Sequence, residues 1–127
     1  VLEFGDALLT LYAPLGSGDT NEEGLSLLCE AGDFSTLITG DADQEVESRL
    51  VKYGHLPEVD VLVAGHHGSK NAASLPLLDT TAPETAVISC GYNTYGHPAP
   101  ETLLRLSQAG CDIYRTDLQG TVTISVR

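Results

Sequence analysis

The sequence predicts an α/β fold, a mixed β-sheet with flanking helices. Three observations carry this. The first third of the chain reads as strands joined by tight turns. From position 42 onward, helical and strand-like segments alternate. The run at 60–64, D-V-L-V-A, is short and continuously apolar after its first residue, as in a strand buried on both faces.

The elements follow in order. Residues 2–12 are apolar with interruptions at Gly5 and Asp6; they read as one strand, or two around a turn, closed by Pro14. Residues 16–21 are small and polar and read as a loop. Two strands at 25–30 and 34–39, joined by Ala31-Gly32-Asp33, read as a hairpin. Residues 42–53 carry Val46, Leu50 and Val51 at helical spacing, with Glu45, Glu47 and Arg49 between them. Asp41 or Asp43 suits the cap of this helix, and Gly54 its stop. Residues 74–80 read as a short helix that tolerates Pro76 in its first turn. A strand at 85–89 and a loop at 91–98 come next. Residues 100–109 read as an amphipathic helix through Leu103, Leu104 and Leu106, ended by Gly110. Strands at 113–115 and 120–126 finish the chain, the last alternating Val122, Ile124 and Val126. No internal repeat or linker appears, so residues 1–127 are read as a single domain.

Composition narrows the function. A chain of 127 residues with 42% hydrophobic content builds one core and not two. Six basic residues stand against 18 acidic ones, a net charge of −12. Such a surface repels nucleic acid unless metal ions or another domain supply positive charge, which argues against a stand-alone DNA-binding module. No apolar run approaches the about 18 residues that span a bilayer, so no membrane contact is expected of this segment. No signal peptide is visible, and the start at Val1 reads as that of a fragment or a trimmed chain. Cys29, Cys90 and Cys111 show no C-x-x-C spacing; Cys29 and Cys90 sit in apolar runs and are expected to be buried.

Chemistry-bearing residues gather where strands end. Asp41 follows F-S-T-L-I-T-G, the pair His66-His67 follows D-V-L-V-A-G, and His97 follows A-V-I-S-C and its loop. Ligands of layered α/β proteins bind at the carboxyl ends of strands. Each residue also has a plainer reading. Gly-Asp after a strand is often a turn or a cap, and His97 in Tyr95-Gly96-His97-Pro98 serves equally as a turn histidine. The adjacent imidazoles His66 and His67, flanked by Gly65 and Gly68, gain little from an apolar setting, and flanking glycines let a backbone approach a ligand closely. His55, after Gly54, suits a helix carboxyl end. Ser69-Lys70 lacks the S-x-x-K or G-x-S-x-G spacing of a serine hydrolase. Gly16-Ser17-Gly18 lacks the Gly-Lys-Ser/Thr of a phosphate loop.

At this point the sequence resembles a known family. L-I-T-G-D-A with acidic residues through Glu47 looks like the bridging-aspartate motif of metallo-β-lactamase-fold hydrolases. D-V-L-V-A-G-H-H-G-S-K-N resembles their late histidine motif as carried by ComEC-type DNA-uptake proteins. I-S-C-G-Y-N-T-Y-G-H-P and Y-R-T-D-L-Q-G-T-V-T-I resemble later segments of the same subfamily. The resemblance implies a partial αββα sandwich, the carboxyl-terminal portion of a metallo-β-lactamase-like domain that binds two divalent metals, Zn²⁺ or Mn²⁺. It implies Asp41 as the carboxylate bridging both ions and His67 as a terminal ligand. His66 then supports the ligand or faces substrate, His97 contacts a phosphate, and Ser69, Lys70 and Asn93 bind substrate. Asn21 matches a position that often carries Asn.

The family's H-x-H-x-D-H motif is absent from these 127 residues. The expectation is therefore of one part of a metal-dependent phosphodiesterase or nuclease-like domain, inactive and weak in metal binding by itself. Its partners would be the missing amino-terminal half and, in the parent, single-stranded DNA; alone, the fragment would form a homodimer. The parent is expected in the bacterial inner membrane, with this domain in a soluble compartment. The alternatives are a non-catalytic binding or assembly module and a hydrolase of a small phosphoester.

Overall fold

Gly32, with φ of +61°, turns the chain between two strands that pair antiparallel from Ala31 against Phe34. The computed structural model describes residues 2–4, 7–12, 26–40, 44–90 and 96–124. The strands are β1 (Leu2–Phe4), β2 (Ala7–Tyr12), β3 (Ser26–Ala31), β4 (Phe34–Ile38), β5 (Val61–Val63), β6 (Thr85–Ile88) and β7 (Asp112–Arg115). They form one sheet in sequence order; β1 to β4 pair antiparallel and β4 to β7 parallel. Helices α1 (Gln44–Tyr53), α2 (Leu75–Thr81) and α3 (Pro100–Gln108) connect the parallel strands, and a short α4 (Thr116–Gln119) follows β7. The α/β class, the hairpin and the mixed sheet with flanking helices agree with the sequence reading.

Right-handed crossovers that always step the same way put all three connecting helices on one face of the sheet. The core lies between them. Leu28, Leu37, Leu62, Ala86 and Ile113 stand in register across β3 to β7, and Leu50, Leu77 and Leu106 pack onto them. The other face carries a second registered row: Leu11, Leu27, Ile38, Val63, Val87 and Tyr114. Leu11 is 52% and Tyr114 42% exposed, and the four between them are half-buried. Residues 122–124 fold back over this face, lining a cleft of about 400 Å³ with Phe34, Asp60, Val61, Glu84, Thr85 and Tyr114.

Several expectations are corrected. Residues 120–124 form no strand; the alternation of Val122 and Ile124 reflects a segment folding back over the sheet. Residues 125–127 and the loop at 16–21 lie outside the described residues. The helix α4 falls where the sequence pattern places no element. On α3 Leu106 is buried and Leu103 packs against the core as expected, joined by the buried Thr102, but Leu104 is 58% exposed. At about 100° per residue, Leu104 stands nearly opposite Leu106. Cys29 and Cys90 are half-buried, because one sits on the open face and the other just beyond a strand end.

Glu47 is the largest departure. A charged residue set between the apolar positions of the helix, it is fully buried. It shares one helical face with Leu50, Val51 and Gly54, three, four and seven residues on. Its carboxylate oxygens accept the amides of Ala73 at 2.9 Å and Ser74 at 2.8 Å, at the entrance to α2. Across the same segment Arg105 donates to the carbonyls of Lys70, Ala72 and Ala73. One carboxylate thus satisfies two buried donors, and one guanidinium three acceptors, of the loop that follows the double histidine.

Candidate functional site

The carboxyl ends of β4, β5 and β6 meet at one edge of the sheet. At the end of β4, the buried Thr39 hydroxyl donates to the carbonyl of Val63, 3.1 Å away on β5. The Ser26 hydroxyl donates to the Thr39 carbonyl at 3.3 Å. Gly40 then turns the chain with φ of +62°. Asp41 comes next and lies outside the described residues, as do Asp43, Asn21, Asn93 and the side chain of His66. What the structure fixes is the anchored strand end that precedes Asp41.

Beyond β5 the amide of Ala64 still bonds the Val87 carbonyl at 2.9 Å, and Gly65–Gly68 forms a single 3₁₀ turn. His67 occupies this turn with φ of +54°, a left-handed conformation that few side chains adopt. Its ring is exposed, and Nδ1 lies 2.6 Å from the carbonyl oxygen of Ser89. A carbonyl can only accept, so in the neutral ring Nδ1 carries the proton and Nε2 keeps its lone pair. This one hydrogen bond fixes both the orientation and the tautomer of the ring.

Gly68, with φ of +77°, is required by its neighbours. A Cβ there would meet the Pro98 Cβ at 2.7 Å and the Ile88 Cγ2 at 3.1 Å. The close approach that this glycine permits is to the protein's own 96–99 segment. The amide of Ala99 donates to the Gly68 carbonyl at 2.8 Å. The half-buried His97 is carried on that segment, so the two histidine-bearing pieces are joined through Gly68. Ser69 and Lys70 continue the turn. The Ser69 carbonyl accepts from the Thr102 hydroxyl at 2.6 Å, the Lys70 carbonyl accepts from Arg105 at 2.6 Å, and the Lys70 side chain is exposed.

One strand further along, beyond β6 and β7, Arg115 and Asp117 pair at 2.7 Å. The Arg115 hydrogen bond holds the Asp117 carboxyl below its ordinary range, whereas burial, reinforced by Asp117, pushes the Cys90 thiol up. An exposed pair of this kind adds little stability. His55, with φ of +50°, is exposed after α1 and belongs to a different part of the molecule. Among the described residues, no three of His, Cys, Asp and Glu cluster as a metal would need. The cleft beneath residues 122–124 begins at Phe34 and Asp60, at the opposite ends of these strands, and has no part in this edge.

The fold and this edge define the class: an open mixed-sheet α/β protein whose polar residues collect beyond its parallel strands. No protein-family model matches the chain. It is 42% identical over 106 residues to "Competence protein ComA" of Neisseria gonorrhoeae, covering 82% of this chain and 15% of that protein. It is 36% identical over 103 residues to "ComE operon protein 3" of Bacillus subtilis strain 168, covering 80% of this chain and 13% of that protein. To "Recombination protein 2" of Haemophilus influenzae it is 33% identical over 106 residues, covering 83% and 13% respectively. The chain belongs to the ComEC-type competence protein family. The chain spans 15% or less of the length of these relatives. No helix among the described residues is long and apolar enough to cross a membrane.

Proposed function

We propose that this chain is the carboxyl-terminal portion of a metallo-β-lactamase-like phosphodiesterase domain, acting on single-stranded DNA in a DNA-uptake protein. The observation that carries the reading is His67. Its Nδ1 proton is committed to the Ser89 carbonyl, which leaves Nε2 as a ligand on an exposed turn at the sheet edge. In this reading Asp41, which follows Gly40 in sequence, and His67 would hold divalent ions (Zn²⁺ or Mn²⁺), Asp41 as the shared carboxylate and His67 as a terminal ligand. Bound there, such ions would supply positive charge and a hydroxide source near neutral pH. That charge matters for a chain of net charge −12 meeting a polyanion. His66 would support the ligand or meet the substrate, His97 would contact a phosphate, and Ser69, Lys70 and Asn93 would bind the substrate strand.

Two ligands are fewer than the three a catalytic zinc usually takes from protein. In this reading the remainder come from an upstream half-domain that also covers the open apolar face. Without that half, the registered row from Leu11 to Tyr114 finds another cover, in a second copy of the chain. Light scattering at rising concentration should therefore report dimers; a monomer throughout would contradict the open-face account. The parent protein is placed by this reading in the bacterial inner membrane, with the domain in a soluble compartment.

Calorimetric titration with Zn²⁺ or Mn²⁺ tests the divided site. The 127-residue chain should bind weakly. Joined to the upstream half, it should bind stoichiometrically, with the affinity lost in Asp41→Asn. Micromolar or tighter stoichiometric binding by the chain alone, dependent on Asp41, would overturn the proposal.

A further inference from the structure

We propose that Thr116 is a positioning residue that sets the tautomer of His67 through a single peptide group. The β6–β7 ladder ends where Ile88 pairs with Arg115. One residue further, the Thr116 side chain takes over the backbone's task. Its Oγ1 accepts the amide of Cys90 at 2.8 Å and donates to the Cys90 carbonyl at 2.8 Å. The second bond directs the hydroxyl proton toward the Cys90 carbonyl, leaving a lone pair for the Cys90 amide.

The Cys90 N–H and the Ser89 C=O belong to one planar peptide unit. In a trans unit they point in opposite directions. Here the N–H points toward the chain that follows β7, and the C=O toward the turn that follows β5, where it takes the His67 Nδ1 proton at 2.6 Å. Holding one end of a rigid plane aims the other. Bonds in series through one peptide also polarise each other, which makes the Ser89 oxygen a better acceptor. Thr116 therefore favours the Nδ1–H form and keeps the Nε2 lone pair outward.

The consequence for metal binding rests on the function proposed above; the effect on the tautomer does not, so the test uses the metal-free chain. Nitrogen-15 spectra of the neutral imidazoles, with His67 assigned by comparison with His67→Gln, read the tautomer directly. The unaltered chain and Thr116→Ser should show His67 as the Nδ1–H form. In Thr116→Val, which keeps the shape and loses the hydroxyl, the signals should shift toward the Nε2–H form that an unconstrained imidazole prefers. An unchanged Nδ1–H signature in folded Thr116→Val would overturn the proposal. Should Thr116→Val fail to fold, the unaltered chain decides: its Cys90 amide should resist solvent exchange, and an unprotected amide would overturn the proposal equally.

Discussion

Glu47→Ala is expected to cost about 3–5 kcal/mol, a large part of the about 5–15 kcal/mol that holds a domain together. The carboxylate is fully buried and is the acceptor for two amides, those of Ala73 and Ser74, which are themselves buried. Removing it strands both donors at about 1–3 kcal/mol each and leaves a cavity. The damage should not stay local. The same segment runs back through Ser69 to the Gly65–Gly68 turn, so the chain around His67 loosens with it. Urea denaturation followed by circular dichroism measures the effect; a loss under about 1 kcal/mol, within the range of ordinary surface substitutions, would mean that the carboxylate is not the anchor.

Glu47→Gln separates charge from shape. Burial pushes the Glu47 carboxyl above the ordinary value of 4.5; the Ser74 and Ala73 hydrogen bonds and the Arg105 guanidinium pull it down, and burial prevails. A folded-state value raised in this way means that the folded protein binds the proton more tightly than the unfolded one. The contribution is fully present below 4.5 and is lost as pH rises through the raised value. The stability of the unaltered chain relative to Glu47→Gln should therefore fall as pH rises above 4.5. A difference that stays flat or grows with pH would contradict the dominance of burial.

Much of the fold was legible because period and turn chemistry agreed. The Gly32 turn, the apolar run ending in Val61–Val63 and the stop at Gly54 each read the same way locally and in the folded chain. Two kinds of feature escaped. One is the charged residue whose partner lies far away in sequence: Glu47 meets amides 26 and 27 residues on, and Arg105 reaches carbonyls 32 to 35 residues back. The spacing of Glu47 from Leu50, Val51 and Gly54 did contain the signal, but its charge argued for water. The other is the polar side chain that extends a strand pairing, Thr39 between β4 and β5 and Thr116 between β6 and β7. Nothing in a single sequence distinguishes these threonines from ordinary β-formers. The double histidine stood out, yet only the structure shows the Nδ1 bond of His67 to Ser89, and that Gly68 makes room for Pro98.

The central claim is that this sheet edge is one side of a metal-dependent phosphodiester-cleaving site, and His67 offers the sharpest access to it. Its ring is exposed and oriented by a hydrogen bond, so replacing it removes the proposed ligand and buries nothing new. Groups one bond further from a metal are commonly worth about 10–100-fold, and the ligand itself should be worth at least the upper figure. The decisive measurement is cleavage of single-stranded DNA, with Mn²⁺ or Zn²⁺ supplied, by the chain joined to its upstream half. The joined protein should cleave. His67→Ala should lower the rate by about a hundredfold or more, while His55→Ala, at an exposed position after α1, leaves it unchanged. Cleavage undiminished in a folded His67→Ala protein, or no cleavage by the joined protein when folded and metal-loaded, would contradict the account.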